Sequence, residues 1–126
     1  MLKVLVLLKR NPKLTMKQFI EHYENNHVKL GIKSAPKIKH YSRRYLTAAP
    51  YPLGGAPQEP EYDVLTELWF DDRKAMDENA AALQQPEALA AITADEAYLF
   101  DTSKNRLVIV EDHVTDPATL PANQKK

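Results

Sequence analysis

The stretch Leu2-Lys3-Val4-Leu5-Val6-Leu7-Leu8-Lys9-Arg10, stopped by Asn11-Pro12, decides the fold. It is short, aliphatic and bounded by a turn signal, which predicts a strand. Apolar residues fall on both parities, so both faces of this strand are expected to be buried. A helix follows directly. Thr15 and Gln18 have the spacing of a capping box, and Leu14 can staple the entry. Phe19, Ile20, Tyr23, His27 and Leu30 then recur at helical spacing, with Lys17, Glu21, Glu24 and Asn25 on the polar side. The helix is expected over Thr15 to about Leu30, with Gly31 as its stop.

Working outward, 38–47 reads as a second strand. Tyr41, Arg43 and Tyr45 share one face, and His40, Ser42, Arg44 and Leu46 the other. Residues 48–61 hold four of the nine prolines and two of the three glycines, and so form a loop too long for a simple hairpin turn. Such loops often border binding sites. Tyr62–Phe70 alternates as a third strand, with Val64, Thr66, Leu68 and Phe70 on one side and Leu65, Glu67 and Trp69 on the other. Asp71 or Asp72 caps a helix to about Leu83. Pro86 interrupts it, and an alanine-rich helix spans Glu87 to about Glu96. Tyr98-Leu99-Phe100 reads as a link, Leu107–Val114 as a last strand and 116–126 as a polar tail.

The order βαββαβ predicts an α+β, ferredoxin-like domain over residues 1–115. It has one antiparallel four-stranded sheet and two helices on one face. Strands one and four are apolar on both parities, and one helix layer covers only one face. A homodimer through the sheet faces is the simplest cover.

The composition narrows the function. The chain has 126 residues, with 17 Lys+Arg against 17 Asp+Glu. This balance argues against nucleic acid and against polybasic membrane recruitment as partners. There is no cysteine, which removes thiolate metal sites, iron–sulfur clusters and a cysteine nucleophile. No apolar run approaches the about 20 residues of a membrane span, and the cytoplasm is the expected location.

His27 lies on the helical stripe with Ile20 and Tyr23, near the helix end. It is either a packed histidine or a general acid–base at a pocket between helix and sheet. His22, five residues earlier, does not share its face on a regular helix, so no metal site is expected there. Tyr41, Arg43 and Tyr45 form either a packed row or a pocket wall in which a phenol and a cation hold an oxyanion. Trp69 is either core or a flat wall for an aromatic ligand. Glu111 and His113, on one face of the last strand, read as either a pocket rim or the strand leaving the core, with the rim preferred. Asp95-Glu96 reads as a solvated helix end, although the apolar cluster Tyr98–Phe100 follows it directly.

These residues resemble the EthD family. The resemblance rests on Leu5–Pro12, Leu14–Phe19 and His22-Tyr23-Glu24-Asn25-Asn26-His27. It extends to Tyr62-Asp63, Glu67–Phe70, Asp95-Glu96 with Phe100-Asp101, and Glu111-Asp112-His113. It covers residues 2–114 and implies a dimeric α+β barrel. Members include small cofactor-independent enzymes that dehydrate or decarboxylate polyketide intermediates. Related proteins isomerise lactones, and others have no clear catalytic role. The resemblance implies His27 and Tyr41 as catalytic residues. Arg43, Tyr45, Tyr23, Trp69, Phe100 and His113 are expected around a hydroxylated, ketone-bearing cyclic or aromatic substrate. No metal or cofactor is expected. His27 would make an enolate that Tyr41 and Arg43 stabilise, ahead of dehydration, decarboxylation or isomerisation. The alternatives are a non-catalytic dimer that binds a small molecule or a pathway enzyme, and a haem monooxygenase with His27 or His113 as axial ligand.

Overall fold

The computed structural model describes residues 1–125. Its elements run β1 (Leu2–Leu8), α1 (Met16–His22), a π-helical turn (Tyr23–His27), α2 (Val28–Ser34), β2 (His40–Tyr45) and β3 (Val64–Phe70). They continue with α3 (Arg73–Leu83), α4 (Pro86–Leu99) and β4 (Arg106–Ile109). The sheet order is β2-β3-β1-β4, and every pairing is antiparallel. This is the α+β, ferredoxin-like arrangement expected from the element order.

Local chemistry explains the helix starts. Thr15 Oγ1 accepts from the Gln18 amide at 3.1 Å, while Gln18 Oε1 accepts from the Thr15 amide at 2.9 Å. This is the capping box, and it satisfies two otherwise unpaired amides. Asp72 caps α3 by accepting from the Ala75 amide at 2.8 Å. Pro86 occupies the first turn of α4, where its missing N–H costs nothing.

The face of the sheet toward the helices carries Val4, Leu8, Val64, Thr66 and Phe70, all buried. Phe19 of α1 is fully buried among the rings of Tyr23, Tyr45 and Phe100, with centroids 5.9–6.2 Å apart in edge-on geometry. On the opposite face, Leu5, Leu7, Leu65 and Trp69 are half-buried and Val108 is exposed. No helix covers them, as expected for one helix layer.

Three boundaries differ from the sequence expectation. The helix does not stop at Gly31 but continues to Ser34. Gly31 faces Tyr41, whose hydroxyl lies 3.5 Å from where a Cβ would stand. The helix yields instead at Ala35, whose backbone is non-helical and which precedes Pro36. Tyr98 and Leu99 are not a link but the last turn of α4. Finally, β4 ends at Ile109, not Val114, because its partner β1 has almost run out: Val4 pairs with Ile109, and the Val110 amide reaches the Lys3 carbonyl. Glu111 and His113 therefore lie outside the sheet. They are exposed and bond to each other at 2.8 Å. The loop 48–61 is irregular and largely exposed, and 116–125 forms two exposed single turns. Among the described residues no helix is long and apolar enough to cross a membrane.

Phe19 holds α1 to the sheet and to the end of α4. Replacing Phe19 with Ala should cost about 3–5 kcal/mol of unfolding free energy, read from urea denaturation with the slope preserved.

Candidate functional site

The segment that carries His27 is not a regular helix. Between Tyr23 and His27 the backbone widens into a π-turn, and the Val28 amide reaches back five residues to the Tyr23 carbonyl. On a regular helix, positions five apart point about 140° away from each other. The widened turn removes that divergence. His22 and His27 both reach one carboxylate on α4, although on a regular helix they are not expected to share a face.

That carboxylate is Asp95, which is 8% exposed. His22 Nε2 meets Asp95 Oδ1 at 2.6 Å, and His27 Nδ1 meets Oδ2 at 2.8 Å. Asn26 Nδ2 donates to Oδ1 at 2.8 Å. Burial pushes the Asp95 pKa up, but the bonds from His22, His27 and Asn26 outweigh it and hold the group below the usual carboxylate range. Asp95 is therefore ionised and can only accept, so both imidazole nitrogens must donate. This sets the neutral His27 tautomer: Nδ1 carries the proton and Nε2 keeps its lone pair.

His27 lines a cavity of about 270 Å³ between the helices and the sheet. The walls are mostly aliphatic, with Val6, Leu8 and Leu68 from the sheet and Leu83 and Ile92 from α3 and α4. The polar groups that converge on it are His27, Tyr23, Tyr41, Thr66, Asn79 and Glu96. Tyr23 and Thr66 share a hydroxyl bond of 2.5 Å. Burial pushes both Tyr23 and Tyr41 above the ordinary phenol range. Both are protonated at neutral pH and act as donors, not bases. Burial likewise raises Glu96, against a smaller downward pull from His27.

The expected site residues divide. His27, Tyr41 and Tyr23 come together around the cavity. Phe100 is core, packed behind His27 with ring centroids 5.4 Å apart. Arg43 and Tyr45 have another partner. Arg43 holds Glu24 with two bonds, Nε to Oε2 at 2.9 Å and Nη2 to Oε1 at 2.6 Å, and the Tyr45 hydroxyl donates to the same carboxylate. The Arg43 bond is the chief reason that Glu24 sits below the usual range. Glu24 on the π-turn thus ties that turn to β2, and the Arg43 fork is occupied. Trp69 is on the opposite sheet face, stacked on His40 at 4.2 Å with its Nε1 donating to Glu67. Alternation along β3 puts it there. His113 is exposed beyond the end of β4.

The sequence reads Asp95-Glu96 as a solvated helix end, but Asp95 is buried and Glu96 lines the cavity. Nor does the sequence single out Glu24 or Thr66 as contributors. Asp95 had a signal, since it lies four residues before Leu99 on the apolar side of an alanine-rich helix. Glu24 had none, because its partners come from a distant strand. No residue of the 48–61 loop lines the cavity. Among the described residues no group of three or more His, Cys, Asp or Glu is arranged to hold a metal ion.

Comparison with known proteins agrees with this architecture. The EthD domain model matches residues 11–103. An ethyl tert-butyl ether D (EthD) family protein from Bacillus halodurans, BH0200, superposes with a TM-score of 0.61 at 21% identity, covering 90% of this chain and 100% of its own. An uncharacterized NIPSNAP-like domain protein from Burkholderia xenovorans gives 0.58 at 14% identity, over 92% of this chain and 88% of its own. A dimeric protein of unknown function with a ferredoxin-like fold, from Bacteroides fragilis, gives 0.51 at 14% identity, over 88% and 95%. No curated protein matches the chain significantly.

The Asp95 cluster makes a prediction about acid stability. A carboxyl with a depressed folded-state pKa contributes stability that is fully present above its unfolded value, near 3.8. That stability is lost as the pH falls through the folded value. Asp95→Asn should lower the melting temperature at pH 7 and weaken its dependence on pH below about 3.8. Melting curves collected from pH 2 to 7 measure both effects.

Proposed function

The chain belongs to the EthD domain family, and from the chemistry of its cleft we propose a cofactor-independent acid–base enzyme that acts next to a carbonyl in a small cyclic or aromatic molecule. One observation supports this reading above the others. An ionised buried carboxylate holds His27 Nδ1 at 2.8 Å and so leaves the other ring nitrogen as a base, on the wall of an apolar cavity. Any acceptor would satisfy a merely packed histidine; an ionised carboxylate also fixes one tautomer and offsets the charge that forms on the ring when it takes a proton. The acid dyad arrangement is a general device for general-base catalysis.

The proposed step is a proton abstraction. His27 Nε2 takes the proton from the carbon next to the carbonyl, and the C–H electron pair moves onto the carbonyl oxygen. Tyr41, protonated because it is buried, donates to the resulting enolate oxygen. Asp95 offsets the positive charge that forms on the imidazole. In a β-hydroxyketone the pair then returns to form the C=C bond. The hydroxyl leaves as water with the proton that His27 carried. Isomerisation is another outcome of the same enolate; in a β-keto acid the enolate forms instead when the bond to the carboxylate breaks, its electron pair moves onto the ketone oxygen and carbon dioxide leaves. Arg43 has no part in this scheme, since it does not line the cavity and Glu24 holds its Nε and Nη2. A homodimer through the open sheet face fits the half-buried Leu5, Leu7, Leu65 and Trp69.

At about 270 Å³ the cavity lies just below the about 300–1,000 Å³ range of ligand sites, which favours a molecule of one or two rings. 2-Tetralone, a two-ring ketone with acidic C–H bonds, is a suitable probe. The protein should accelerate exchange of its α-protons in deuterium oxide, followed by NMR. His27→Ala should lower that acceleration by about 10²–10⁴-fold, and Tyr41→Phe by a smaller factor. Exchange that is unaffected by His27→Ala would leave a binding protein as the better reading.

A further inference from the structure

Glu96 has no role in the proposed proton transfer, yet it shares the cavity wall with His27 and Tyr41. It is half-buried, and the influences on its carboxyl are burial, His27 and Asp95, none of them a hydrogen bond. A carboxyl placed in an apolar wall without a bonded partner has a cost in stability. No arginine or lysine lines the cavity among the described residues. Two cations close in sequence to cavity residues are engaged elsewhere. Arg43 is held by Glu24, and Lys37 Nζ pairs with Glu78 at 3.3 Å. His27 becomes positive on protonation, but Asp95 already balances that charge. The cavity therefore carries no net positive charge in either state of His27.

We infer that the cleft selects an uncharged ring compound and discriminates against a carboxylated one, with Glu96 as the residue that sets the discrimination. A ligand carboxylate inside would lose its water, meet no cation and face Glu96, with the Asp95 carboxylate behind His27. A phenol or ketone of the same shape loses far less: the phenol can donate to His27 Nε2, and the ketone can accept from Tyr41. Among reactions that pass through an enolate, this favours dehydration or isomerisation of a neutral substrate over decarboxylation of an acid. The inference rests on the cleft assigned under the proposed function, and its test requires no turnover.

The experiment compares 2-naphthol with 2-naphthoate, two ligands of one ring system, by calorimetric titration at pH 7.5. At this pH the phenol is neutral and the acid is ionised. The expected result is naphthol binding at least tenfold tighter, with the His27 ring signals shifting in the NMR spectrum. Glu96→Gln should raise naphthoate affinity and reduce the gap to under threefold, while naphthol affinity changes by less than threefold. Native protein that binds naphthoate as tightly as naphthol overturns the inference, as does a gap that Glu96→Gln leaves unchanged. Binding of neither ligand, or binding that leaves His27 signals in place, also overturns it. If naphthol discrimination holds while tetralone exchange fails, the selectivity stands and only the catalytic reading falls.

Discussion

One buried carboxylate organises the molecule's functional half. Asp95 receives hydrogen bonds from His22, Asn26 and His27 at 2.6–2.8 Å. Those three donors fit one acceptor only because the helix widens by a residue between Tyr23 and His27. A π-turn gives poorer backbone bonding than an α-helix, so something must hold it. Asp95 holds it from α4 and Glu24 holds it from β2. The two anchors pull the turn against both of its neighbours, and His27 sits between them on the cavity wall.

The same division sorts the charged residues. Arg43 forks onto Glu24 and Tyr45 donates to it, which locks helix to sheet and leaves neither free for a ligand. On the far face of the sheet, Arg44 pairs with Glu67 at 3.0 Å and Lys3 lies over Trp69. Cations thus serve the framework and the outer face. The cavity keeps only groups that are neutral or acidic, apart from an imidazole whose charge Asp95 balances. An apolar pocket with one oriented base and protonated phenols is suited to moving a proton on an uncharged molecule.

Much of this was legible in the order of residues. Alternation in Val64–Phe70 placed Thr66 and Leu68 on the helix side and Trp69 on the other, and strand pairing then carried that choice across the sheet. The helical period placed His27 beside Tyr23, and the row Tyr41, Arg43, Tyr45 shared a face as read. Boundaries were harder. Gly31 looked like a stop, but it stays helical beside the Tyr41 ring, and the helix ends instead before Pro36.

Local sequence by itself determined the elements, their order and their buried faces, because periodicity and capping act within a few residues. It also determined that His27 would meet the sheet. Only the tertiary structure decided what His27 and Arg43 do there. Asp95 lies 68 residues from His27 and Glu24 lies 19 from Arg43. A hydrogen-bond partner at that separation is set by how helices and strands pack, and no period in the chain records it. The π-turn belongs to the same class, since a regular helix is the local preference and the carboxylate across the gap is what makes the wider turn worthwhile.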